Sequence, residues 1–404
     1  MNNFNKMKYD FLIVGAGIIG LSIARELREL YPAAKIKVLE KEPDTGFHSS
    51  GRNSGVLHAG FYYTADSLKA KFTKEGNRQL TEYCLENNLR INRCGKLVIA
   101  QNESELETLY ELEKRGKANK VDVRLLNQEE AKEIDPNAKT FKKALYSPTT
   151  STVDPIELCR FIKRELKKKN VEFSFGESYV RRISDNKIIT SKGIEHDAGK
   201  LINTAGLYAD RIAREFGFSK DYEIIPFKGL YLKYSKSDMP VKTNIYPVPN
   251  LKNPFLGVHF TITSDNHIKI GPTSMPAFWR ENYKGFDNFS LSEFLNIISW
   301  EAQLFLTNAF GFRDLAIEEV KKYQRKYFIG LAKKMVYNID EKGFKEWTTP
   351  GIRAQLLNIN TKELVQDFVV EGDKESIHVL NAVSPAFTSS FPFSRWVVEN
   401  FIVK

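Results

Sequence analysis

Cysteine is scarce in this sequence, with Cys84, Cys94 and Cys159 the three thiols in a chain of 404 residues. An odd number of thiols cannot pair completely, and none of the spacings is C-x-x-C, so neither a disulfide framework nor a zinc site is indicated. We therefore expect reduced, mostly buried thiols in a reducing compartment, taken here as the cytoplasm, and no bound metal.

Long apolar runs are also missing. The segment MNNFNKMKYD at the start contains no apolar signal core, and FLIVGAGIIGLSIA is too short and too rich in glycine to cross a bilayer. We therefore expect no membrane-spanning segment. Peripheral attachment to the inner face of a membrane stays open.

Acidic residues are outnumbered, since 60 Lys and Arg residues stand against 50 Asp and Glu, which gives a formal charge of +10. This surplus favours an anionic substrate, an anionic membrane surface or nucleic acid, and a solvated basic surface without a partner is the alternative. The lysines at 167–169 lack interleaved aromatic residues and end a helix that Asp154 and Pro155 begin. We interpret them as favourable charges at the helix C-terminus and expect no nucleic acid partner.

A glycine motif follows the first apolar run at 9–14. Gly15, Gly17 and Gly20 have the spacing G-x-G-x-x-G, a helical pattern follows, and the next strand, KIKVLEK, contains Glu40 twenty residues after the last glycine. This unit matches the βαβ dinucleotide fingerprint, in which glycines let the backbone approach a pyrophosphate and the acidic residue binds a ribose diol. A carboxylate at 40 would repel a 2′-phosphate, which argues against NADP. A glycine turn without a ligand is the alternative.

The remaining patterns predict two interleaved domains. Further strand-to-helix units are predicted around NTAGLYADRIA and near the C-terminal end, whereas 222–275 reads as an antiparallel sheet and two helical stretches occupy roughly 290–335. Sheet-and-helix units at the start, middle and end with β-rich material between them favour an α/β fold. We expect a Rossmann-type domain interleaved with an α+β domain built on an antiparallel sheet.

A family resemblance rests on an ordered set of motifs along almost the whole chain: HSSGRNSGVLHAGFYYTADSLKAKF, CGKLVIA, NTAGLYADRIA, IYPVPN, FLGVHFT, IKIGP, GIRAQ and SPAFTSS. Together they resemble the L-2-hydroxyglutarate oxidases and dehydrogenases, which are FAD enzymes of the D-amino-acid-oxidase-like group. The resemblance implies FAD, oxidation of an L-2-hydroxy diacid to its 2-oxo acid, and a small anionic hydroxy acid as substrate. It implies an FAD-binding domain over 1–85, 145–215 and 346–404, and a substrate-binding domain over 86–144 and 216–345.

Several positions depart from the family pattern. Arg52 stands where His is usual, Lys228 replaces Arg, Trp279 stands where Lys is common, and Val383 and Phe387 stand where Pro and Ala are usual. The reaction type tolerates these changes better than the identity of the substrate does.

The resemblance assigns a set of residues to FAD. The small residues after His48 let backbone lie close to the flavin, and the start of the last helix supplies N–H groups to the end of the ring where negative charge grows on reduction. His48 is expected to hydrogen-bond or pack, with a covalent flavin link left open. The predicted cofactor set is Gly15, Gly17, Gly20, Glu40, Lys41, His48, Gly51, Asn53, Ser54, Gly55, Val180, Ala205, Gly206, Gly351, Ser384, Pro385 and Thr388.

The implied chemistry selects the catalytic candidates. A proton must leave the hydroxyl while hydride passes from the adjacent carbon to flavin N5, and histidine suits this task. His58 is the flavin neighbour and His259 the base or substrate hydrogen-bonding group, although which of them is the base stays open. Arg353 is expected to bind a carboxylate in a bidentate manner. Lys228, Arg280 and Tyr246 are the further substrate-binding candidates, with salt bridges or core packing as their alternatives.

Two other functions stay open beside this one. One is an amine or amino-acid oxidase of the same fold, and the other is a flavin- or NAD-binding protein without turnover. The electron acceptor, either oxygen or a membrane quinone, and the oligomeric state are not determined by the sequence.

Overall fold

The computed structural model describes residues 7–236, 238–251 and 255–403. Its helices are α1 Ile18–Leu30, α2 Leu68–Glu86, α3 Leu106–Ala118, α4 Gln128–Ile134, α5 Pro155–Lys168, α6 Ala209–Glu215, α7 Leu291–Thr307, α8 Phe312–Lys321, α9 Arg325–Lys333 and α10 Ala386–Val398. Its strands are β1 Met7–Val14, β2 Ile36–Glu40, β3 Val56–Leu57, β4 Ile91–Asn92, β5 Lys96–Ile99, β6 Arg124–Asn127, β7 Lys143–Ser147, β8 Ser151–Val153, β9 Glu172–Phe175, β10 Tyr179–Ser184, β11 Lys187–Thr190, β12 Glu195–Asn203, β13 Tyr222–Gly229, β14 Leu232–Tyr234, β15 Asn244–Pro247, β16 His259–Ile262, β17 Ile268–Gly271, β18 Met275–Pro276, β19 Phe344–Trp347, β20 Gly351–Asn358, β21 Val369–Gly372 and β22 Ser376–Asn381.

The chain divides into two compact units. Unit 1 comprises the described residues up to Arg52, Pro155–Ile225 and those from Ala354 onward, and unit 2 comprises Asn53–Asp154 and Pro226–Arg353. The chain thus passes between the units four times. The predicted interleaving of two domains is therefore present in the fold.

Unit 1 contains a largely parallel sheet. Its parallel strands have the order β22-β12-β1-β2-β9, and β10, β11 and β21 extend it with antiparallel pairs. The second half of the central strand β1 is apolar and buried, as is typical of a parallel strand covered on both faces, and Leu12 and Ile13 are fully buried. On one side β1 pairs with β2, the next strand in the chain, and on the other side with β12, which comes much later. Folds of this kind bind their ligands at the point where the strand order changes direction in this way.

Helix α1 packs against α5 and α10 in unit 1. The Arg395 side chain of α10 forms an ion pair with Glu26 at 3.2 Å, and the guanidinium of Arg25 lies 4.5 Å from the ring centroid of Phe391. These contacts fix the axis of α1, and with it the position of the glycine turn at its N-terminus.

Unit 2 is built on an eight-stranded sheet of order β19-β14-β17-β16-β15-β5-β7-β6, in which β15 and β5 are parallel. One face carries an apolar core that includes Leu97, Ile245 and Phe260, together with Phe328 of α9. Residues one position away on the same strands point to the opposite face, because side chains alternate along a strand. That opposite face carries the polar residues described below.

The boundaries of the compact units differ from those of the domains inferred from sequence. Residues 53–85 and 145–154, assigned by sequence to the cofactor domain, pack in unit 2. The physical reason is a small antiparallel sheet in which β8 pairs with both β3 and β4, which ties both segments to that unit. The predicted α/β fold, with a Rossmann-type part and an antiparallel part, is confirmed. In the described part of the chain, no helix has both the length and the apolar character that crossing a bilayer requires.

Candidate functional site

The glycine turn joins β1 to α1 in unit 1. Gly15 has a φ of +103°, and a Cβ there would lie 2.6 Å from the carbonyl oxygen of Thr204. A Cβ on Gly20 would lie 2.0 Å from the carbonyl oxygen of Gly15. A side chain at either position would therefore force the helix away from the turn. The close approach brings the first peptide N–H groups of α1 to the carboxyl edge of the sheet, where a pyrophosphate binds in Rossmann-type folds.

A second loop packs on this turn. Ser50 Oγ accepts a hydrogen bond of 2.9 Å from the backbone N–H of Ile18. A Cβ on Gly17 would lie 2.9 Å from the same oxygen, so this glycine makes room for the loop. Gly51 has a comparable structural task, because a Cβ on it would lie 2.0 Å from the carbonyl oxygen of Gly46. Sequence patterns did not identify Ser50 as a partner of α1.

Glu40 lies at the end of β2. Its carboxylate accepts a hydrogen bond from the backbone N–H of Ala16, at 2.9 Å, and another from that of Glu42, at 3.0 Å. Burial raises the pKa of Glu40, and the two backbone donors oppose that rise. Each carboxylate oxygen can accept more than one hydrogen bond, so the group can still accept from a ribose hydroxyl. Its position beside the glycine turn fits the dinucleotide fingerprint.

Lys41 and His48 both contact Glu42. The lysine Nζ lies 2.8 Å from a carboxylate oxygen of Glu42, and His48 Nε2 lies 2.8 Å from the same oxygen. Burial opposes ionisation of Glu42, but these two hydrogen bonds hold its pKa below the ordinary value. Both predicted cofactor residues are therefore already engaged by one carboxylate within unit 1.

The other predicted cofactor residues of unit 1 lie near strand ends or at a helix N-terminus. Val180 is half exposed on β10, and Ala205 and Gly206 form the turn after β12, where a side chain added at Gly206 would meet open space. Pro385 caps α10, and its carbonyl accepts from the N–H of Ser389 at 3.0 Å. The remaining residues of this end of the helix are Ser384 and Thr388.

Four predicted cofactor residues belong to unit 2. Asn53 Oδ1 accepts a hydrogen bond of 2.8 Å from the N–H of Gly55, and Ser54 Oγ accepts one of 3.3 Å from Val56. Gly351 begins β20. Asn53, Ser54 and Gly55 therefore form a turn whose backbone is ordered by the side chains of Asn53 and Ser54.

The polar face of the unit 2 sheet carries Lys96, Tyr246, His259 and Lys269. Tyr246 pairs in register with Val98, Thr261 with Lys269, and Ile245 with Phe260. Because Leu97, Ile245 and Phe260 point into the apolar core, their neighbours at 96, 246 and 259 point to the other face. The strand register thus assembles one lysine, one tyrosine and one histidine that are far apart in sequence.

His259 is held as a neutral imidazole. Its Nδ1 lies 2.8 Å from the carbonyl oxygen of Gly257, so this nitrogen carries the proton and donates. Burial lowers the pKa of His259 to about 3, the hydrogen bond to Gly257 opposes the shift, and the charge of Lys96 adds to it. Nε2 is then an acceptor at neutral pH. It can accept a hydrogen bond from a substrate hydroxyl.

His58 lies close to the other two predicted catalytic residues, His259 and Arg353. It is buried, and its Nδ1 lies 3.4 Å from Lys96 Nζ. Burial lowers the pKa of His58 well below its ordinary value, and the charge of Lys96, the ring of His259 and the charge of Arg353 add to the shift. His58, His259 and Arg353, separated by up to three hundred positions in sequence, are therefore neighbours in unit 2.

Arg353 is a partly buried cation. Its guanidinium lies 4.9 Å from the ring centroid of Phe255, and no carboxylate of the described residues forms an ion pair with it. Burial lowers its pKa, and electrostatic interactions with Tyr231, Tyr63 and Glu319 oppose that shift. A bound carboxylate would stabilise a partly buried guanidinium that has no ion pair.

The other substrate candidates lie elsewhere in unit 2. Lys228 Nζ donates to Asn282 Oδ1 at 3.2 Å, and burial lowers its pKa. Arg280 is fully buried, and its backbone N–H donates to the Glu293 carboxylate at the start of α7. Tyr246 is fully buried against His259. The structure therefore groups Tyr246 with the histidines, whereas the backbone of Arg280 contacts Glu293 of α7.

Three residues of this site were not predicted from the sequence. Lys96 is completely buried. Lys269 Nζ lies 4.6 Å from the ring centroid of Tyr231, and burial lowers the pKa of Lys269 to about 8. The Tyr62 hydroxyl is buried without a hydrogen-bond partner among the described residues. The available signal was a lysine in each of two otherwise apolar strand segments, KLVIA and HIKIG. Lysine is rarely buried in a strand unless its amine has a partner or a function.

Comparison with known proteins identifies the family. A family model described as FAD dependent oxidoreductase matches residues 10–399. The chain belongs to that family. FAD is accordingly its cofactor, and the glycine turn, the helix N-terminus of α1 and the Glu40 carboxylate fit the dinucleotide part of FAD.

Curated relatives carry a more specific name. The chain is 34% identical over 401 residues to L-2-hydroxyglutarate dehydrogenase of Escherichia coli strain K12, covering 97% of this chain and 92% of that protein. It is 36% identical over 416 residues to the mitochondrial L-2-hydroxyglutarate dehydrogenase of Homo sapiens, covering 97% and 88%. The resemblance inferred from motifs is confirmed by these relatives.

Solved structures share the fold. L-alpha-glycerophosphate oxidase from Mycoplasma pneumoniae, with FAD bound, superposes with a TM-score of 0.76 at 19% identity, covering 97% of this chain and 94% of that chain. Glycine oxidase from Geobacillus kaustophilus gives a TM-score of 0.72 at 18% identity, covering 98% and 95%. At this identity the likeness concerns the fold alone.

Proposed function

We propose that this FAD-dependent oxidoreductase oxidises L-2-hydroxyglutarate to 2-oxoglutarate. The observation that carries the proposal is the Arg353 guanidinium, which lies 4.9 Å from the ring centroid of Phe255 and forms no ion pair with a carboxylate of the described residues. Its charge influences His58. A substrate carboxylate would compensate this charge, and the curated relatives named for L-2-hydroxyglutarate support the same choice.

Arg353 is proposed to bind one substrate carboxylate. The planar guanidinium presents paired N–H donors that match the two oxygens of a carboxylate. Lys228 and Arg280 are proposed as further cations for the anionic substrate, and Tyr246 as a donor or packing partner. Tyr62 supports a polar ligand nearby, because its buried hydroxyl has no hydrogen-bond partner among the described residues.

The two histidines are proposed to handle the hydroxyl proton. His259 Nε2 is an acceptor because Nδ1 donates to Gly257, and it would orient the substrate hydroxyl. His58 lies beside Lys96 and would take the proton. Bound FAD supplies the hydride acceptor. The proposed cofactor residues remain those given by sequence, with Lys41 and His48 acting through their shared partner Glu42.

The test is anaerobic bleaching of the FAD-loaded protein by a matched panel. L-2-Hydroxyglutarate should reduce the flavin, and D-2-hydroxyglutarate, L-lactate and L-glutamate should not. L-Lactate lacks the second carboxylate, and L-glutamate replaces the hydroxyl with an amine. Faster reduction by L-glutamate would favour an amino-acid oxidase, and a flavin that stays oxidised with every compound would refute turnover by this class of substrate.

We also propose that α7 attaches the protein to an anionic membrane surface. Its exposed positions are uncharged and include Leu291, Leu295 and Leu306, whereas its two glutamates, Glu293 and Glu301, are buried. Phe286, 82% exposed, lies just before the helix. Such an apolar face is typical of interfacial helices, and the formal charge of +10 would add attraction to anionic lipid. Contact with a membrane quinone as electron acceptor would follow from this attachment.

Vesicle flotation tests this attachment. The protein should float with vesicles containing phosphatidylserine, and the double variant Leu295→Gln/Leu306→Gln should stay in the soluble fraction. Leu85→Gln is the matched control, since Leu85 is 50% exposed on α2. Equal flotation of the double variant and the control would refute the assignment to α7, and no flotation of the unaltered protein would refute membrane attachment.

A further inference from the structure

Lys96 has an environment that is unusual for a lysine. It is completely buried on β5, and its Nζ lies 4.2 Å from the ring centroid of Tyr246 and 5.2 Å from that of Tyr62. The described partner with a lone pair is His58 Nδ1, at 3.4 Å. An amine enclosed by aromatic rings and one imidazole, with no carboxylate, can exist either as an ammonium or as a neutral amine.

The proton on Lys96 decides where His58 carries its own proton. An ammonium can only donate, so it would require an unprotonated Nδ1 and leave the imidazole proton on Nε2. A neutral amine can accept, so it would allow a proton on Nδ1 and leave Nε2 as an acceptor. The second arrangement is the one that a base needs, because Nε2 is then able to take a proton from a hydroxyl.

We propose that Lys96 is a positioning residue that acts through His58: as a neutral amine it accepts the hydrogen bond of Nδ1–H and makes Nε2 the base. When Nε2 takes the substrate hydroxyl proton, the Nδ1 proton moves to Lys96 Nζ. The imidazole is thus neutral before and after the transfer, and the positive charge ends on the lysine. This inference rests on the proposed oxidation of a hydroxy acid and concerns a residue to which the sequence analysis gave no role.

The titratable groups around Lys96 support this assignment. Burial raises the pKa of Cys94, on the same chain segment, to about 11, and it raises those of Tyr62 and Tyr246 well above their ordinary value. The pKa of His259 is lowered by burial to about 3. These four groups therefore keep one protonation state near neutral pH.

Lys96 itself has its pKa lowered by burial to about 7. Two further cations belong to the same surroundings. The charge of Arg353 faces His58, and the charge of Lys269, with a pKa near 8, faces His259. Lys269 is therefore the one other described group of this face that could change charge in the same pH range. It has to be tested separately.

The experiment is nitrogen NMR of the FAD-loaded protein with ¹⁵N-labelled histidine, without substrate, from about pH 6 to about pH 9. Six histidines are present, and His58→Asn identifies the signals of residue 58. The proton of His58 should lie on Nε2 at low pH and on Nδ1 at high pH. A proton that stays on the same nitrogen over the whole range in the unaltered protein would overturn the proposal without any variant of Lys96.

Three variants assign the transition to Lys96. Lys96→Met should hold His58 in one tautomer at every pH, whereas Lys269→Met should keep the transition. Lys143→Met, on neighbouring β7, is the control for loss of a lysine and should also keep it. Loss of the transition in Lys269→Met with its retention in Lys96→Met would transfer the role to Lys269 and overturn the proposal.

The kinetic counterpart separates a proton role from a structural one. The rate of anaerobic flavin reduction should rise with pH through one ionisation in the unaltered protein, and in Lys96→Met it should be independent of pH and at least about tenfold slower. A merely structural role would lower flavin content and keep the pH profile. If no hydroxy acid reduced the flavin, the proposed function would fail, whereas the NMR result would still decide the role of Lys96.

Discussion

The imidazole of His259 stacks on the phenol ring of Tyr246, with ring centroids 3.7 Å apart and ring planes 17° apart. The hydrogen bond from Nδ1 to Gly257 fixes the imidazole in its plane, and the tyrosine ring covers its face. The ring therefore has one orientation, and Nε2 points in one direction. An ordered acceptor of this kind is worth more to a reaction than a mobile one, because no rotational freedom is lost when the substrate binds.

The first prediction concerns this stack. Tyr246→Phe keeps the ring and should reduce the flavin at nearly the normal rate. Tyr246→Leu removes it and should slow reduction by about tenfold, since an aromatic pair contributes roughly 0.5–1.5 kcal/mol beyond burial. Rapid-mixing measurements of flavin reduction give both rates. Equal rates for the two variants would show that the ring stack does not order His259.

The second prediction concerns the acceptor itself. His259→Ala should retain FAD and slow flavin reduction by at least roughly a hundredfold, the usual effect of losing a group that handles a proton. His267→Ala is the matched control, because His267 is an exposed histidine in the turn before β17. The control should be unchanged. An unchanged reduction rate in His259→Ala would remove His259 from the mechanism.

The third prediction concerns the guanidinium of Arg353. Arg353→Met should leave the FAD content unchanged and weaken the binding of the hydroxy diacid, with about a tenfold to hundredfold loss expected for hydrogen bonds to a charged group. Arg353→Lys should recover only part of this loss, because an ammonium lacks the paired donors. Titration of the oxidised flavin spectrum with 2-oxoglutarate measures the affinity. Full affinity in Arg353→Met would contradict the carboxylate role.

The fourth prediction concerns cofactor binding. Glu40→Ala removes the acceptor for the Ala16 N–H group and the proposed acceptor for the ribose, so FAD should bind about tenfold to hundredfold more weakly. Glu172→Ala, a largely exposed glutamate on the adjacent strand β9, serves as the control. Fluorescence titration of the FAD-free protein measures both. Equal affinity in the two variants would contradict the fingerprint assignment.

The fifth prediction concerns stability in acid. Burial lowers the pKa of His378 to about 4, so below its ordinary value of 6.5 the unfolded chain takes up a proton that the folded chain refuses. Folding stability is therefore lost as the pH falls through this range, by about 2 kcal/mol for this residue at pH 5. His378→Leu should flatten the dependence by that amount, measured by urea unfolding at several pH values. A dependence as steep as that of the unaltered protein would contradict it.

The pattern of residues determined the class of fold and the cofactor. The G-x-G-x-x-G spacing between an apolar strand and a helix, with Glu40 at the end of the next strand, is a local pattern whose geometry lies within one βαβ unit. Local sequence can specify such a unit because turn, helix and strand are all short-range structures. The ordered motifs that follow added the family.

The boundaries between the two compact units were harder to predict from the sequence. Residues 53–85 follow the cofactor loop in sequence, yet β3 pairs with β8, about a hundred residues later, and so belongs to unit 2. Pairing between distant strands depends on the register of whole sheets, which a local pattern does not encode.

The sequence by itself determined that the chain folds an FAD-binding α/β unit and that two histidines and an arginine were candidates for its chemistry. Only the tertiary structure decided that Lys96 lies 3.4 Å from His58 and that Tyr246 covers His259. The physical reason is strand register. Which face of the sheet a side chain points to, and which neighbour it meets there, is fixed by pairing between β5, β15 and β16 and not by any one of them alone.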